Sequence, residues 1–143
     1  MVIEFIGGLW IGKSIDRNCD NFLSEKGINI TINCSEDLSF LNNKKEYNNI
    51  ILQNIKRYED IRLSDYLYKI TDYIYTNLKI NKNILIYCKK NEDFYLLILL
   101  AYLLRYGNIN LLKSIEIIRT KIINSFNTQF IYKSAFIKFM KKI

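Results

Sequence analysis

The chain has 143 residues, 50% of them hydrophobic and 14% aromatic, which is enough apolar material to bury a core and too much for a disordered segment. Its net charge of +7 is spread along the chain, with one small cluster at Lys138, Lys141 and Lys142, so it reads as a solvated surface rather than a nucleic-acid arm. Histidine is absent, which removes the commonest general base and metal ligand together, and three cysteines without tight spacing argue against a disulfide framework. A reducing, cytoplasmic setting is therefore expected, with no metal and no cofactor. The start of the chain lacks the charged and apolar regions of a signal peptide, and no apolar run reaches the ~18 residues needed to span a bilayer, so no membrane association is expected.

In chain order, Val2–Ile6 and Leu9–Ile11 are β-rich runs around Gly7-Gly8, a hairpin signal. Ser14 is suited to cap a helix that gathers Ile15, Cys19, Phe22 and Leu23 on one face and closes at Gly27. Cys19 on that face is a small core residue. Ile28–Cys34 alternates as a strand, Ser35–Lys45 is polar loop, Asn49–Gln53 is a further strand and Asn54–Arg62 a charged loop. Ser64 and Asp65 are expected to open a helix carrying Leu67, Ile70, Ile74 and Leu78 at helical spacing. Tyr66, Tyr68, Tyr73 and Tyr75 then pack at the core edge; no basic residue interleaves them in sequence as a base-stacking surface requires.

The most informative stretch is Asn83 to Phe94. The apolar run Ile84-Leu85-Ile86-Tyr87 ends at Cys88, a polar loop of Lys89, Lys90, Asn91, Glu92 and Asp93 follows, and an apolar helix opens at Phe94 and runs to Leu104. A buried strand thus delivers a cysteine to a helix N-terminus, where free amides and the macrodipole favour an anion. Asn110 begins a helix with Leu111, Ile115, Ile118 and Ile122 inward, and a last helix covers Thr128–Lys141 with Phe130, Phe136 and Phe139 as anchors. Strands alternating with helices, followed by helices alone, give an α/β class with a central, mostly parallel sheet flanked by helices in one domain over 1–143.

Several strings in this order resemble a dual-specificity protein phosphatase of the cysteine-dependent superfamily. Ile6-Gly7-Gly8-Leu9-Trp10-Ile11-Gly12 is similar to that family's opening hairpin, and Leu23-Ser24-Glu25-Lys26-Gly27-Ile28 to its first helix and next strand. Tyr47 to Leu52 resembles the strand entering the acid loop, Ala101-Tyr102-Leu103-Leu104 the helix behind the phosphate loop, and Phe126 to Phe130 the link into the last helix. The likeness covers nearly the whole chain.

The resemblance implies a reaction in which a cysteine thiolate attacks phosphorus. An arginine six residues later forks onto the phosphate oxygens, and an aspartic acid from another loop protonates the leaving oxygen. Mapped onto this chain, Cys88 takes the nucleophile position, Phe94 the arginine position and Asn54 the general-acid position, with Asp60 and Glu59 close by. Asn91 stands for the loop glycine, Tyr87 for the histidine before the cysteine and Tyr95 for the hydroxyl residue after the arginine. Losing one preorganised transition-state donor costs ~100- to 1000-fold in rate, and losing general-acid help a further ~100- to 10,000-fold. Glu92 and Asp93 add negative charge beside the loop, although acidic residues also suit a helix start; Lys89 and Lys90 offset it.

Three readings of Cys88 stay open: a buried structural thiol, a remnant nucleophile, and a working nucleophile assisted by a residue such as Lys89 or Lys90. The expectation is a catalytically inactive phosphatase-like protein, a pseudophosphatase, acting as a binding or scaffold module, with a divergent low-activity phosphatase using Cys88 as the alternative. The expected partner is a protein, either a phosphoprotein or an active phosphatase, or a second copy as a homodimer; nucleic acid ranks last. The wealth of Asn, Ile, Lys and Tyr suits an AT-rich genome, and poxvirus-like phosphatases are compact members of the family, so a viral origin is the companion expectation. A guanidinium reaching over Cys88, from Arg57 or Arg62, would overturn inactivity.

Overall fold

A computed structural model describes residues 2–13, 20–33, 60–88, 94–122 and 133–143. The expectations for Ser14–Cys19, Cys34, the loop Ser35–Lys45, the strand Asn49–Gln53, residues 54–59 of the charged loop, and residues 128–132 of the last helix lie outside the described residues. The chain forms two compact units, one of Met1–Gln53 with Thr76–Tyr95 and one of Asn54–Tyr75 with Leu96–Ile143.

The first unit carries the sheet. β1 (Val2–Ile6) and β2 (Leu9–Lys13) form the antiparallel hairpin expected around Gly7-Gly8. Gly8 has φ of +85°, a conformation that costs a side-chain-bearing residue energy, and a Cβ there would come within 3.1 Å of Asn83 Oδ1. The short helix α1 (Asp20–Glu25) ends at Gly27, whose φ of +61° and amide bond to the Ser24 carbonyl close it as the sequence implied. β3 (Ile28–Asn33) follows. The fourth strand, β4 (Asn83–Cys88), inserts between β2 and β3 and is parallel to both, giving the order β1-β2-β4-β3. Two of the three pairings are therefore parallel, and the mostly parallel sheet read from the sequence is what the chain builds.

The register of β4 is pinned at its amino end. The Asn83 amide donates to Asn29 Oδ1 at 2.9 Å, and its side-chain Nδ2 donates to the carbonyls of Lys26 and Gly27 at 3.1 and 3.2 Å. Ile84 N donates to the Gly8 carbonyl. From there Ile84, Leu85, Ile86 and Tyr87 are all buried, as are Ile30, Thr31 and Ile32 beside them, so residues on both sides of the pleat are shielded. On one side Leu85 packs with Leu23 and Ile28, with Val2 and Trp10 against them.

Helices make up the described part of the second unit. α2 spans Asp60–Lys79, four residues earlier than the expected start at Ser64. Ser64 does not cap it: the residue is fully buried in the second turn, and its hydroxyl finds no hydrogen-bond partner among the described residues. The start moves because Leu63 extends the buried stripe to Leu63, Leu67, Ile70 and Ile74, and burying one more apolar side chain outweighs a cap. The charged loop expected over Asn54–Arg62 thus gives way to helix from Asp60 onward. The C-terminal end of α2, in the first unit, closes on Asn81 (φ +64°), with Asn81 N bonded to the Leu78 carbonyl and Lys82 N to the Asn77 carbonyl, a left-handed cap of the Schellman type.

α3 (Phe94–Tyr106) is buried from Tyr95 through Leu103, as an all-round apolar helix must be, and it continues two residues beyond Leu104. α4 (Leu111–Lys121) begins after Asn110, whose side chain accepts from Lys113 N at 2.9 Å. Of its expected inward residues Ile118 and Ile122 are buried, while Leu111 and Ile115 are only partly covered and Ser114 takes an interior place. α5 (Lys133–Lys142) buries Phe136 and Phe139, ring against ring at 5.8 Å, and Lys142 pairs with Asp65.

Candidate functional site

The site is built by the first unit, at the carboxyl ends of three parallel strands. β4 is the middle strand and Cys88 its last residue. On one side Cys88 is the register partner of Lys13, the last residue of β2; on the other, Asn33 at the end of β3 is the partner of Tyr87. Ligands of open α/β sheets gather at this edge because helices that follow the strands point their amino ends toward it. Phe94, six residues after Cys88, is the first residue of α3, with no acidic residue in that helix's first turn. The strand–loop–helix arrangement predicted from sequence is therefore formed at both of its described ends.

The remaining sequence-predicted site residues, Lys89, Lys90, Asn91, Glu92, Asp93 and Asn54, lie outside the described residues, as do Arg57 and Glu59. Arg62 and Asp60 fall in the first turn of α2 rather than in a loop. Tyr87, in the place of the histidine that precedes the cysteine in related sequences, is buried, and so is Tyr95, at only 1% exposure. A phenol in either place supplies no imidazole-like charge at neutral pH. Among the described residues no three of His, Cys, Asp and Glu gather as a metal-binding group, and no helix is long and apolar enough to cross a membrane.

A second constellation belongs to the second unit, and sequence reasoning missed it. Arg105, from α3, lies over the Tyr68 ring at 3.7 Å and near the Tyr106 ring at 4.8 Å, and Tyr106 stacks on Tyr75 at 4.1 Å with the rings parallel. Tyr106 donates to Asp72 Oδ1 at 2.9 Å; burial first, and then this bond, push its phenol up to about 12. Burial likewise raises Tyr102. The expectation that no basic residue interleaves the α2 tyrosines is corrected here. The cation arrives from a helix 37 positions on, a distance that no local pattern reports. That guanidinium is committed to the Tyr68 carbonyl, the Thr71 hydroxyl and Asp72.

Comparison with known proteins settles the family: the dual specificity phosphatase catalytic domain matches residues 9–142. The chain belongs to the dual-specificity phosphatase family. No curated protein sequence gives a significant match. Solved structures share the fold at low identity. Human DUSP28 superposes with a TM-score of 0.79 at 14% identity, over 99% of this chain and 93% of that one. A mouse putative dual specificity phosphatase complexed with zinc tungstate gives 0.78 at 16%, over 97% and 86%. Human tyrosine phosphatase-like serine/threonine/tyrosine-interacting protein gives 0.78 at 14%, over 97% and 95%. In a dual-specificity phosphatase fold the edge occupied by Lys13, Cys88 and Phe94 is the place to look for function.

Proposed function

We propose that this dual-specificity phosphatase domain does not turn over phosphate esters and acts instead as a binding module for a protein partner. The observation that carries the reading is the pairing of Cys88 at the end of β4 with Phe94 at the head of α3. The thiol keeps the family's address, while a phenyl group occupies the position of the family's transition-state guanidinium. Without that fork the charge developing on the transferred phosphoryl group loses its main planar partner, a loss of ~100- to 1000-fold in rate. Asn54 at the general-acid position cannot donate a proton as a carboxylic acid does, removing a further ~100- to 10,000-fold.

The partner is a phosphoprotein or an active phosphatase in a reducing, cytoplasmic compartment, and self-pairing is the competing arrangement. Three unclustered cysteines and a +7 charge support that setting and an acidic or phosphorylated counterpart. Among solved structures of this fold, one is described as phosphatase-like and interacting, so the fold is compatible with such a role. The Asn- and Lys-rich composition suits an AT-rich, virus-like source. Steady-state hydrolysis of a chromogenic aryl phosphate, by the wild-type chain and by Cys88→Ser, tests the reading. Equal, background-level rates support it; wild-type turnover that Cys88→Ser abolishes makes the chain a divergent phosphatase instead.

A further inference from the structure

We propose that Lys13 is the cation of the site at the end of β4, and that it lets the domain hold a phosphorylated side chain of a partner protein without hydrolysing it. The inference rests on the binding-module reading above and names its ligand class and the residue that recognises it. Its basis is the backbone register. Lys13 and Cys88 are Cα partners across the parallel β2–β4 pairing, each the terminal residue of its strand. Neighbouring strands lie about 4.8 Å apart, and partners in parallel register fall on the same face of the sheet. Lys13 therefore continues the row of Leu9 and Ile11 as Cys88 continues that of Ile84 and Ile86. Nearness in sequence instead favours Lys89 and Lys90, but nearness in the sheet belongs to Lys13.

Three further features favour an anion at this edge. α3 is a 13-residue helix whose amino end follows the cysteine and whose first turn carries no carboxylate of its own. The edge is the carboxyl end of all three parallel strands. A lysine also has the right chemistry for binding without turnover. Its ammonium is a point charge on a flexible four-carbon stem, able to neutralise a phosphoryl dianion but not to fork onto two equatorial oxygens. Such a charge stabilises bound ester and transition state alike, and uniform stabilisation adds affinity without adding rate.

The test titrates the full chain with tungstate, inorganic phosphate and a phosphotyrosyl peptide, comparing wild type with Lys13→Met, Lys13→Arg and the double variant Lys89→Met/Lys90→Met. Loss of one charged contact predicts affinity weakened about tenfold in Lys13→Met. Lys13→Arg should stay near wild type, and the double variant should change less than Lys13→Met. The peptide should bind more tightly than free phosphate. Equal affinities in wild type and Lys13→Met, a larger loss in the double variant, or free phosphate binding as tightly as the peptide overturns the inference. A readout on the unaltered chain guards against a variant that fails to fold: tungstate should slow acetylation of the Lys13 amine, followed by mass spectrometry, and an unchanged rate overturns the inference. Failure here is separable from failure of the functional reading. Wild type that binds no oxyanion removes the role of Lys13 but leaves a scaffold without turnover, whereas Cys88-dependent hydrolysis overturns the binding-module reading whatever Lys13→Met does to affinity.

Discussion

Arg105 and Tyr68 meet twice: the guanidinium lies over the Tyr68 ring at 3.7 Å, and its Nη1 donates to the backbone carbonyl of the same residue at 2.6 Å. Arg105 is only 13% exposed, so both contacts are formed largely out of water, and they join α3 to α2. Its ion pair with Asp72, at 3.7 Å and with Asp72 61% exposed, is the weaker part. Arg105→Met is therefore expected to cost about 2 kcal/mol in chemical denaturation. Arg105→Lys should recover less than half, because an ammonium cannot lie flat on the ring and reach the carbonyl together. Asp72→Ala should cost less than about 1 kcal/mol.

Tyr106 gives the fold an alkaline limit. Burial, followed by the bond to Asp72, raises its phenol to about 12, whereas the unfolded chain titrates near 10. Between those values the folded state holds a proton that the unfolded state has released, so stability is fully present below pH 10 and falls as pH rises toward 12. Denaturation midpoints across that range should decline in the wild type and decline less steeply in Tyr106→Phe. Some slope should survive the substitution, because Tyr102 is raised as well. An unchanged slope in Tyr106→Phe would show that another group sets the limit.

The amino end of β4 predicts a coupled pair of lesions. Gly8→Ala forces a side chain into a positive-φ position and brings its Cβ within 3.1 Å of Asn83 Oδ1 and 3.2 Å of Leu78 Cδ2. A destabilisation of about 1–2 kcal/mol follows. Asn83→Ala removes the two side-chain bonds to Lys26 and Gly27 and should cost about 1–2 kcal/mol. Because the two residues touch, the double variant should lose less than the sum, which denaturant unfolding of all four proteins would measure.

Asn110 offers a cleaner, local prediction. Its side chain accepts from Lys113 N and supplies the N-cap of α4. Asn110→Ala should cost about 1 kcal/mol and Asn110→Asp almost nothing, read from thermal or denaturant unfolding.

Much of this architecture is written locally. The Gly7-Gly8 hairpin, the strand ending at Cys88, the apolar helix after it and the Asn110 cap each depend on neighbouring residues, and each is found where periodicity and capping place it. The start of α2 was not legible, because Ser64-Asp65 has the form of a cap while the deciding fact is the burial of Leu63. Arg105 over Tyr68 and Lys13 beside Cys88 were equally hidden, since both join residues far apart in sequence and only the packing of helices or the register of strands brings them together. At the site, the address of the cysteine could be read from a strand running into a helix, but its nearest cation in the sheet could not.

The central claim is that Cys88 holds the nucleophile's position without acting as one, and the most direct measurement looks for phosphorus on that sulfur. The wild-type chain would be incubated with an aryl phosphate, quenched in acid, and the peptide bearing Cys88 examined by mass spectrometry. The account predicts an unmodified thiol at every time point. A phosphoryl adduct on Cys88 that forms and decays with product release would contradict it.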